Sequence, residues 1–426
     1  MTLSNLNDNY LFQESILLPF LRWDQAHLFH PRRNLMLPEF FEFYNPTKVV
    51  YGQGIASDFQ AELDALGVEK YFIVSDKVIR DQGLVKTVVD GLTSAGVTVT
   101  GEFLDVPPNS GIQTVYSCAE QAKSSGAQGL MAIGGGSVID TAKAANILLS
   151  EGGDLVADYS GIHTLTRPLK PLVVIPTTAG TGSEVTMVSV IYDEKNKEKL
   201  AFGDKFLLPS LAVLDPQMTT SMPPGLTAST AMDALTHAVE AYVGTGCSPV
   251  SDIFAAGAVE LIFKNILQAT ENGQDLEARG SLLVAANLAG TAFSHSMVGC
   301  VHGMAHATGA LYHVPHGIAN AILLPHGMEY NFDEIKEKLA KLTPAMGLEI
   351  SGLSVEESAA KAIAAVRSLT VRLNEMGALP LRLRDVGVPT EGLPELAEYA
   401  VNDGTSWFNP REVVAEEILL HLKKAY

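Results

Sequence analysis

The feature that most constrains the fold is a change of texture near Pro216. Before it, short apolar runs bounded by Gly, Pro and Asp alternate with helix-spaced stretches. The runs are KYFIVSD (70–76), GVTVTGEFLDV (96–106), GLMAIGGGSVIDTAKAANILL (129–149), PLVVIPTT (171–178) and PSLAVLDP (209–216). Strand-length apolar runs separated by helices mean βαβ units and a parallel sheet. After Pro216 the strand signal almost disappears. Helices are expected at 226–243, 250–269, 275–297, 300–311, 316–328, 333–345 and 354–375, with Gly, Pro and Asn at the joints. A chain of 426 residues has room for two or three domains. The expected organisation is an irregular N-terminal extension (1–36), an α/β domain (37–216) and an all-helical domain (217–426). The first segment reads equally as a genuine extension or as an over-long start.

Charge and composition narrow the partners. A net charge of −19 argues against nucleic acid and against an anionic membrane surface, since neither attracts such a protein. No apolar run approaches the ~20 residues that span a bilayer. The N-terminal ILLPFL (16–21) is short, broken by Pro19 and preceded by acidic residues where a signal peptide would be basic. The three cysteines, Cys118, Cys247 and Cys300, form neither a disulfide framework nor a thiolate cluster. They read as buried free thiols, and the expected compartment is the cytoplasm.

Two stretches carry metal chemistry. In MDALTHAVEAY (232–242), which reads as an amphipathic helix, Asp233 and His237 share a face because they stand four residues apart. In VHGMAHATGALYHVPHG (301–317), His302 and His306 form a second such pair, and His316 follows Pro315 after a short non-helical stretch. His295, His313 and His326, taken singly, read as packed or exposed histidines. Imidazoles gathered with a carboxylate suit a borderline divalent ion such as Fe2+ or Zn2+. No cysteine joins them and HExxH is absent, so neither a structural zinc cluster nor the common metalloprotease plan is indicated.

A third stretch, AIGGGSVIDTAK (132–143), is an apolar run, a glycine turn and a helix start. Such a turn lets backbone approach a phosphate at a helix N-terminus, and Ser137 can add a donor. It is neither GxGxxG nor a P-loop, and by itself it reads equally as a tight strand-to-helix turn. PTTAGTGSEVT (176–186) offers hydroxyls and glycines for a second wall. Asp76 closes an early strand, the place where open α/β sheets bind ligands. An acid there can accept both ribose hydroxyls of NAD and would repel the 2′-phosphate of NADP.

Together, MDALTHAVEAY, VHGMAHATGALYHVPHG, GGGSVIDTAK and PTTAGTGSEVT resemble the iron-containing, or group III, alcohol dehydrogenases. Lactaldehyde (1,2-propanediol) reductases and iron-type ethanol dehydrogenases are the nearest members. The resemblance runs from about residue 38 to the C-terminus and includes NAILLPH (320–326) and NPR (409–411). It implies a dehydroquinate synthase-like fold: an α/β dinucleotide-binding domain followed by an all-α metal-binding domain. It implies metal ligands at Asp233, His237, His302 and His316. His306 is left unligated in the cleft, either as a proton relay or as a structural neighbour of the site. It implies NAD contacts from Asp76, Asn109, Gly135, Gly136, Ser137, Thr177, Thr178, Thr186 and Lys199, with looser ones from Val188 and Met218.

The activity implied is metal-dependent, NAD(H)-linked interconversion of small primary alcohols or diols and aldehydes, by a homodimer carrying Fe2+, or next Zn2+. Alternatives are glycerol-dehydrogenase-like polyol oxidation with zinc, a dehydroquinate-synthase-like lyase, or a non-catalytic metal- and nucleotide-binding protein. The lyase would need a strongly cationic pocket, and no basic cluster lies near these histidines. Two departures stand out. Val138 follows GGGS where relatives carry Pro, and Trp407 and Phe408 in NDGTSWFNPR bear on the substrate pocket.

Overall fold

The computed structural model describes residues 38–196 and 198–426; the extension expected at 1–36 lies outside them. A six-stranded sheet organises the first half. It is built from β1 (Lys48–Tyr51), β2 (Lys70–Val74), β3 (Thr98–Phe103), β4 (Gly129–Gly134), β6 (Leu172–Pro176) and β9 (Leu211–Leu214), while β5 (Gly161–Ile162), β7 (Val188–Asp193) and β8 (Glu198–Gly203) lie elsewhere. The order is β1-β9-β6-β4-β2-β3 and every neighbouring pair is parallel. β4, β6 and β9 are buried at every position, as strands covered on both faces must be. Side chains alternate between two cores: Phe72 and Val74 pack on one face, Tyr71 and Ile73 on the other. The chain passes from β2 to β3 on one side and then crosses back from β3 to β4 on the other side of β2. The switch point therefore lies between β2 and β4, where a crevice opens at the strand C-termini. Asp76 and the glycine turn flank it.

A second sheet, β5-β8-β7, departs from the expectation of a purely parallel α/β layer. β7 and β8 form an antiparallel hairpin. β7 is a half-buried strand with alternating exposure, and so lacks the continuous apolar run by which the other strands stand out.

The second half is helical throughout among the described residues. Its helices are Pro224–Val243, Pro249–Glu271, Leu276–Ser296, Cys300–Tyr312, His316–Tyr330, Phe332–Leu342, Val355–Glu375, Leu393–Asn402 and Ala415–Ala425. The helix expected at 333–345 stops at Leu342, and a 3-10 turn, Thr343–Met346, takes over where Pro344 enters. Pro224–Val243 is not amphipathic. Fifteen of its twenty residues are buried, which makes it the central helix of the body. Among the described residues no single helix is long and apolar enough to cross a membrane. The cysteine reading needs one correction: Cys118 and Cys300 are buried, but Cys247 is half-buried.

The halves meet through the loop after β6. Asn287 Nδ2 donates to Glu184 Oε1 at 3.0 Å, and Met187 N–H to Ser294 Oγ at 3.1 Å. Gly182 has φ +61°, and a Cβ placed there would stand 2.5 Å from Gly290 Cα. A segment before β1 also crosses to the helices: Phe43 stacks on His295 at 4.4 Å, and Tyr44 N–H lies 3.2 Å from its Nε2. His295 is thus a packing residue. We predict that Gly182→Ala destabilises the protein by about 1–3 kcal/mol, combining left-handed strain with a backbone clash. Thermal unfolding reads this directly, and an unchanged Tm would refute the close approach.

Candidate metal and nucleotide site

Asp233 and His237 stand on successive turns of the central helix. His302 lies in the first turn of Cys300–Tyr312, and His316 opens the next helix. Between those two helices, His313 adopts the left-handed conformation (φ 56°) and ends the first. The chain reverses through Val314 and Pro315, and His316 returns to the face that bears His302. One ligand atom from each of Asp233, His237, His302 and His316 falls within 4.8 Å of the others. His306 stays outside this group, its ring 5.2 Å from that of His316 and 6.0 Å from that of His302.

The donors suit a divalent ion. Burial opposes ionisation of Asp233, but His237, His316, His302 and the Asn320 amide outweigh it and hold the carboxyl at about 2. Burial drops His237 to about 4 and takes His316 well below the usual imidazole range. Asp233, His237 and His316 therefore present a carboxylate and two imidazole lone pairs at neutral pH, as metal binding requires. At His302 burial is outweighed by the Glu240 and Asp233 carboxylates, which raise the imidazole, so a metal ion would compete with a proton there. His237 Nδ1 is buried with no hydrogen-bond partner. Asn320 Nδ2 donates to Asp233 Oδ1 at 2.6 Å and lies 3.1 and 3.3 Å from the Nε2 atoms of His316 and His302.

Three supporting residues escaped the sequence reading. Glu240 Oε2 stands 2.6 Å from His302 Nδ1, and its Oε1 accepts from Val301 N–H at 2.7 Å. It caps a helix whose own N-cap is Gly299 and turns His302 Nε2 toward the group. Glu240 was legible in principle, since it follows His237 by three residues on the same helix face. Asn320 follows His316 by four. Asp403 Oδ2 lies 2.9 Å from His306 Nδ1. Burial pushes Asp403 up, yet His306 and Thr405 hold it at about 2. It belongs to NDGTSWFNPR, where the sequence singles out Trp407, Phe408 and the NPR at 409–411 but not the acid. Trp407 is exposed on the turn that follows.

Several of the residues expected to contact a nucleotide lie around the switch point. Gly135 caps the helix Gly136–Glu151 without any side-chain bond. A Cβ on Gly135 would lie 3.1 Å from Thr178 Oγ1, and one on Gly136 would lie 2.8 Å from Thr181 Cγ2. The glycine turn and the threonine loop are thus two walls in contact. Thr177 Oγ1 is buried without a partner. Asn109, at φ 52°, donates its N–H to Ser137 Oγ at 3.3 Å. Asp76 caps Lys77–Asp81 with Oδ1, accepting from Ile79 N–H at 2.9 Å, which leaves Oδ2 for another donor. The open N-terminus, the orphaned hydroxyl and the glycine clearances fit a dinucleotide's phosphates.

Other expected contacts are placed differently. Lys143 Nζ, buried, donates to Thr186 Oγ1 (3.0 Å), Thr186 O (2.7 Å) and Val188 O (2.9 Å). Thr186 and Val188 therefore seat a buried ammonium before anything else. Lys199, on β8, lies within the electrostatic field of Asp140, Asp233 and Asp403. Met218 is 1% exposed and packs beneath the sheet with Ile73, Ile133 and Ile175.

The fold thus joins a glycine turn at the switch point of a parallel sheet to a three-imidazole, one-carboxylate cluster in a helical body. The profile described as "Iron-containing alcohol dehydrogenase" matches residues 46–216, and that of the C-terminal part of the Fe-containing alcohol dehydrogenase family matches 227–426. The chain belongs to the iron-containing alcohol dehydrogenase family. It is 36% identical over 383 residues to the NAD-dependent methanol dehydrogenase of Bacillus methanolicus, covering 90% of this chain and 99% of the relative. It is 39% identical over 371 residues to lactaldehyde reductase of Escherichia coli (strain K12), covering 87% and 95%. A solved 1,3-propanediol oxidoreductase superposes with a TM-score of 0.87 at 39% identity, covering 91% of this chain and 100% of that one. The chain is an oxidoreductase acting between alcohols and aldehydes.

Two substitutions test the metal centre. His237→Ala should lose bound metal and activity together. Glu240→Gln should weaken metal binding roughly 10–100-fold, as losses of such orienting partners do. Metal content and chelator competition read both, and full stoichiometric metal in His237→Ala would refute the ligand set.

Proposed function

We propose that this protein is an NAD(H)-linked dehydrogenase of small primary alcohols and diols that depends on a divalent metal, Fe2+ in first place and Zn2+ in second. The observation that carries the reading is the convergence of Asp233, His237, His302 and His316 on one point beside an unligated His306. A divalent ion held there supplies Lewis acidity toward an alcohol or carbonyl oxygen. NAD supplies the hydride acceptor, and the protein contributes position and electrostatics.

The chain's own residues do the rest. Gly135, Gly136 and Ser137 hold the pyrophosphate against Thr177 and Thr178. Asp76 Oδ2 takes a ribose hydroxyl. Asp403 accepts from His306 Nδ1–H and fixes the tautomer, so Nε2 faces the cleft as a proton acceptor and relays the alcohol proton outward. Cytoplasmic residence accords with three free cysteines. A homodimer accords with the place of β1 at the end of the sheet, unpaired on its outer side among the described residues, with Val49 and Tyr51 exposed and Phe40, Phe41 and Tyr44 also exposed in the segment before it.

The test is apo-protein reconstituted anaerobically with Fe2+ or Zn2+ and assayed for NADH against ethanol, butanol, 1,2-propanediol, 1,3-propanediol and glycerol. Metal-dependent turnover of the primary alcohols or diols is expected. Turnover of glycerol alone with zinc would favour polyol oxidation, and stoichiometric metal and NAD binding without turnover would favour a non-catalytic role. Asp76→Gly should move the ratio of kcat/KM for NAD and NADP toward NADP; an unchanged ratio removes that role from Asp76.

A further inference from the structure

Outside the metal centre, one thiol stands against an amine. Cys247 is half-buried in the loop between the helices Pro224–Val243 and Pro249–Glu271. Lys338, on Phe332–Leu342, places Nζ 2.7 Å from Cys247 Sγ. That is nearer than the ~2.9 Å an N–H donor usually keeps even from oxygen, although sulfur is the larger atom. The amine is held in place. It donates to the Tyr242 carbonyl oxygen, sits 5.1 Å from the Tyr242 ring centroid and lies 3.5 Å from Asp252 Oδ2. Asp252 Oδ1 is buried and has no hydrogen-bond partner. Burial raises the Asp252 pKa despite the attraction of Lys338, which makes the carboxylate a better proton acceptor. The other two thiols, Cys118 and Cys300, are enclosed in the core and, among the described residues, face no amine.

We propose that Cys247 and Lys338 form a reversible redox crosslink, a sulfur–oxygen–nitrogen bridge, with dioxygen or a peroxide as oxidant. Oxidation begins at the sulfur, as for any accessible thiolate that reaches a sulfenic acid. The specific feature is an amine where a resolving cysteine would otherwise stand. Overall, the thiol, the neutral amine and one dioxygen give the bridge and one water. The S–H bond and one N–H bond break, and S–O and O–N bonds form. Sulfur and nitrogen each lose two electrons, and dioxygen takes all four. One of its atoms stays in the bridge, and the other leaves as water with the two hydrogens. With hydrogen peroxide, two equivalents are consumed and three waters leave. The extra proton of the lysine ammonium goes to Asp252. Two molecules of a dithiol supply the four electrons and four hydrogens that restore thiol, amine and one water.

The bridge would pin a loop adjoining the site. That loop follows the helix of Asp233, His237 and Glu240, and Thr245 N–H donates to Phe408 O at 3.0 Å, just beyond the turn capped by Asp403. It therefore offers a route by which oxidation could reach the active centre without touching a ligand.

The experiment treats the full-length, zinc-loaded protein with hydrogen peroxide, digests it without reductant and weighs the peptides. The expected product is a Cys247 peptide joined to a Lys338 peptide, heavier than their sum by one oxygen and lighter by two hydrogens. It should revert with dithiothreitol and be absent from Cys247→Ser and Lys338→Arg. Cys247 recovered unmodified or only as sulfinic or sulfonic acid, with the Lys338 peptide unchanged, would overturn the proposal. The decisive readout is the wild-type mass, so it stands even if a variant folds poorly.

Discussion

The structure depends on the burial of one carboxylate. Asp233 is 3% exposed in the middle of the central helix, where an isolated charge would carry a large desolvation cost. The surrounding residues answer that cost and little else on this face of the helix. Three imidazoles converge on it, the Asn320 amide donates to it, and Glu240 orients one of the imidazoles from behind. A buried polar network is stabilising only when its members are satisfied, and here the atoms turned inward are mostly acceptors. A divalent cation would complete the arrangement more fully than any side chain present.

That requirement reaches into the topology. Two of the four gathered residues sit on one helix, and the others lie at the starts of Cys300–Tyr312 and His316–Tyr330, so the helical half must close before the site exists. The nucleotide half supplies a separate requirement. Its parallel sheet puts Asp76 and the glycine turn at a switch point, and the loop after β6 joins this crevice to the helix Leu276–Ser296 through Glu184 and Asn287. Packing, and not a flexible tether, therefore holds the two halves together.

Much of this was legible in the sequence because it rests on local periodicity. Continuous apolar runs marked β4, β6 and β9, and i,i+4 spacing marked Asp233 with His237. What escaped was set by tertiary contact. The β7–β8 hairpin alternates in burial and has no apolar run. Met218 entered only through the resemblance, and nothing local shows that the 3-10 turn at Pro216 packs it into the core. Lys143 lies inside AIGGGSVIDTAK, yet nothing local shows that its ammonium is buried against Thr186 and Val188. Asp403 and Glu240 gain meaning only once His306 and His302 are placed in space.

The most direct measurement of the central claim is X-ray absorption at the metal edge of the protein loaded with one divalent ion. The account predicts only nitrogen and oxygen scatterers at about 2.0–2.2 Å, with the outer-shell signature of three imidazoles that falls to two in His316→Ala. Sulfur in the first shell, or an imidazole count that does not change in that variant, would contradict it.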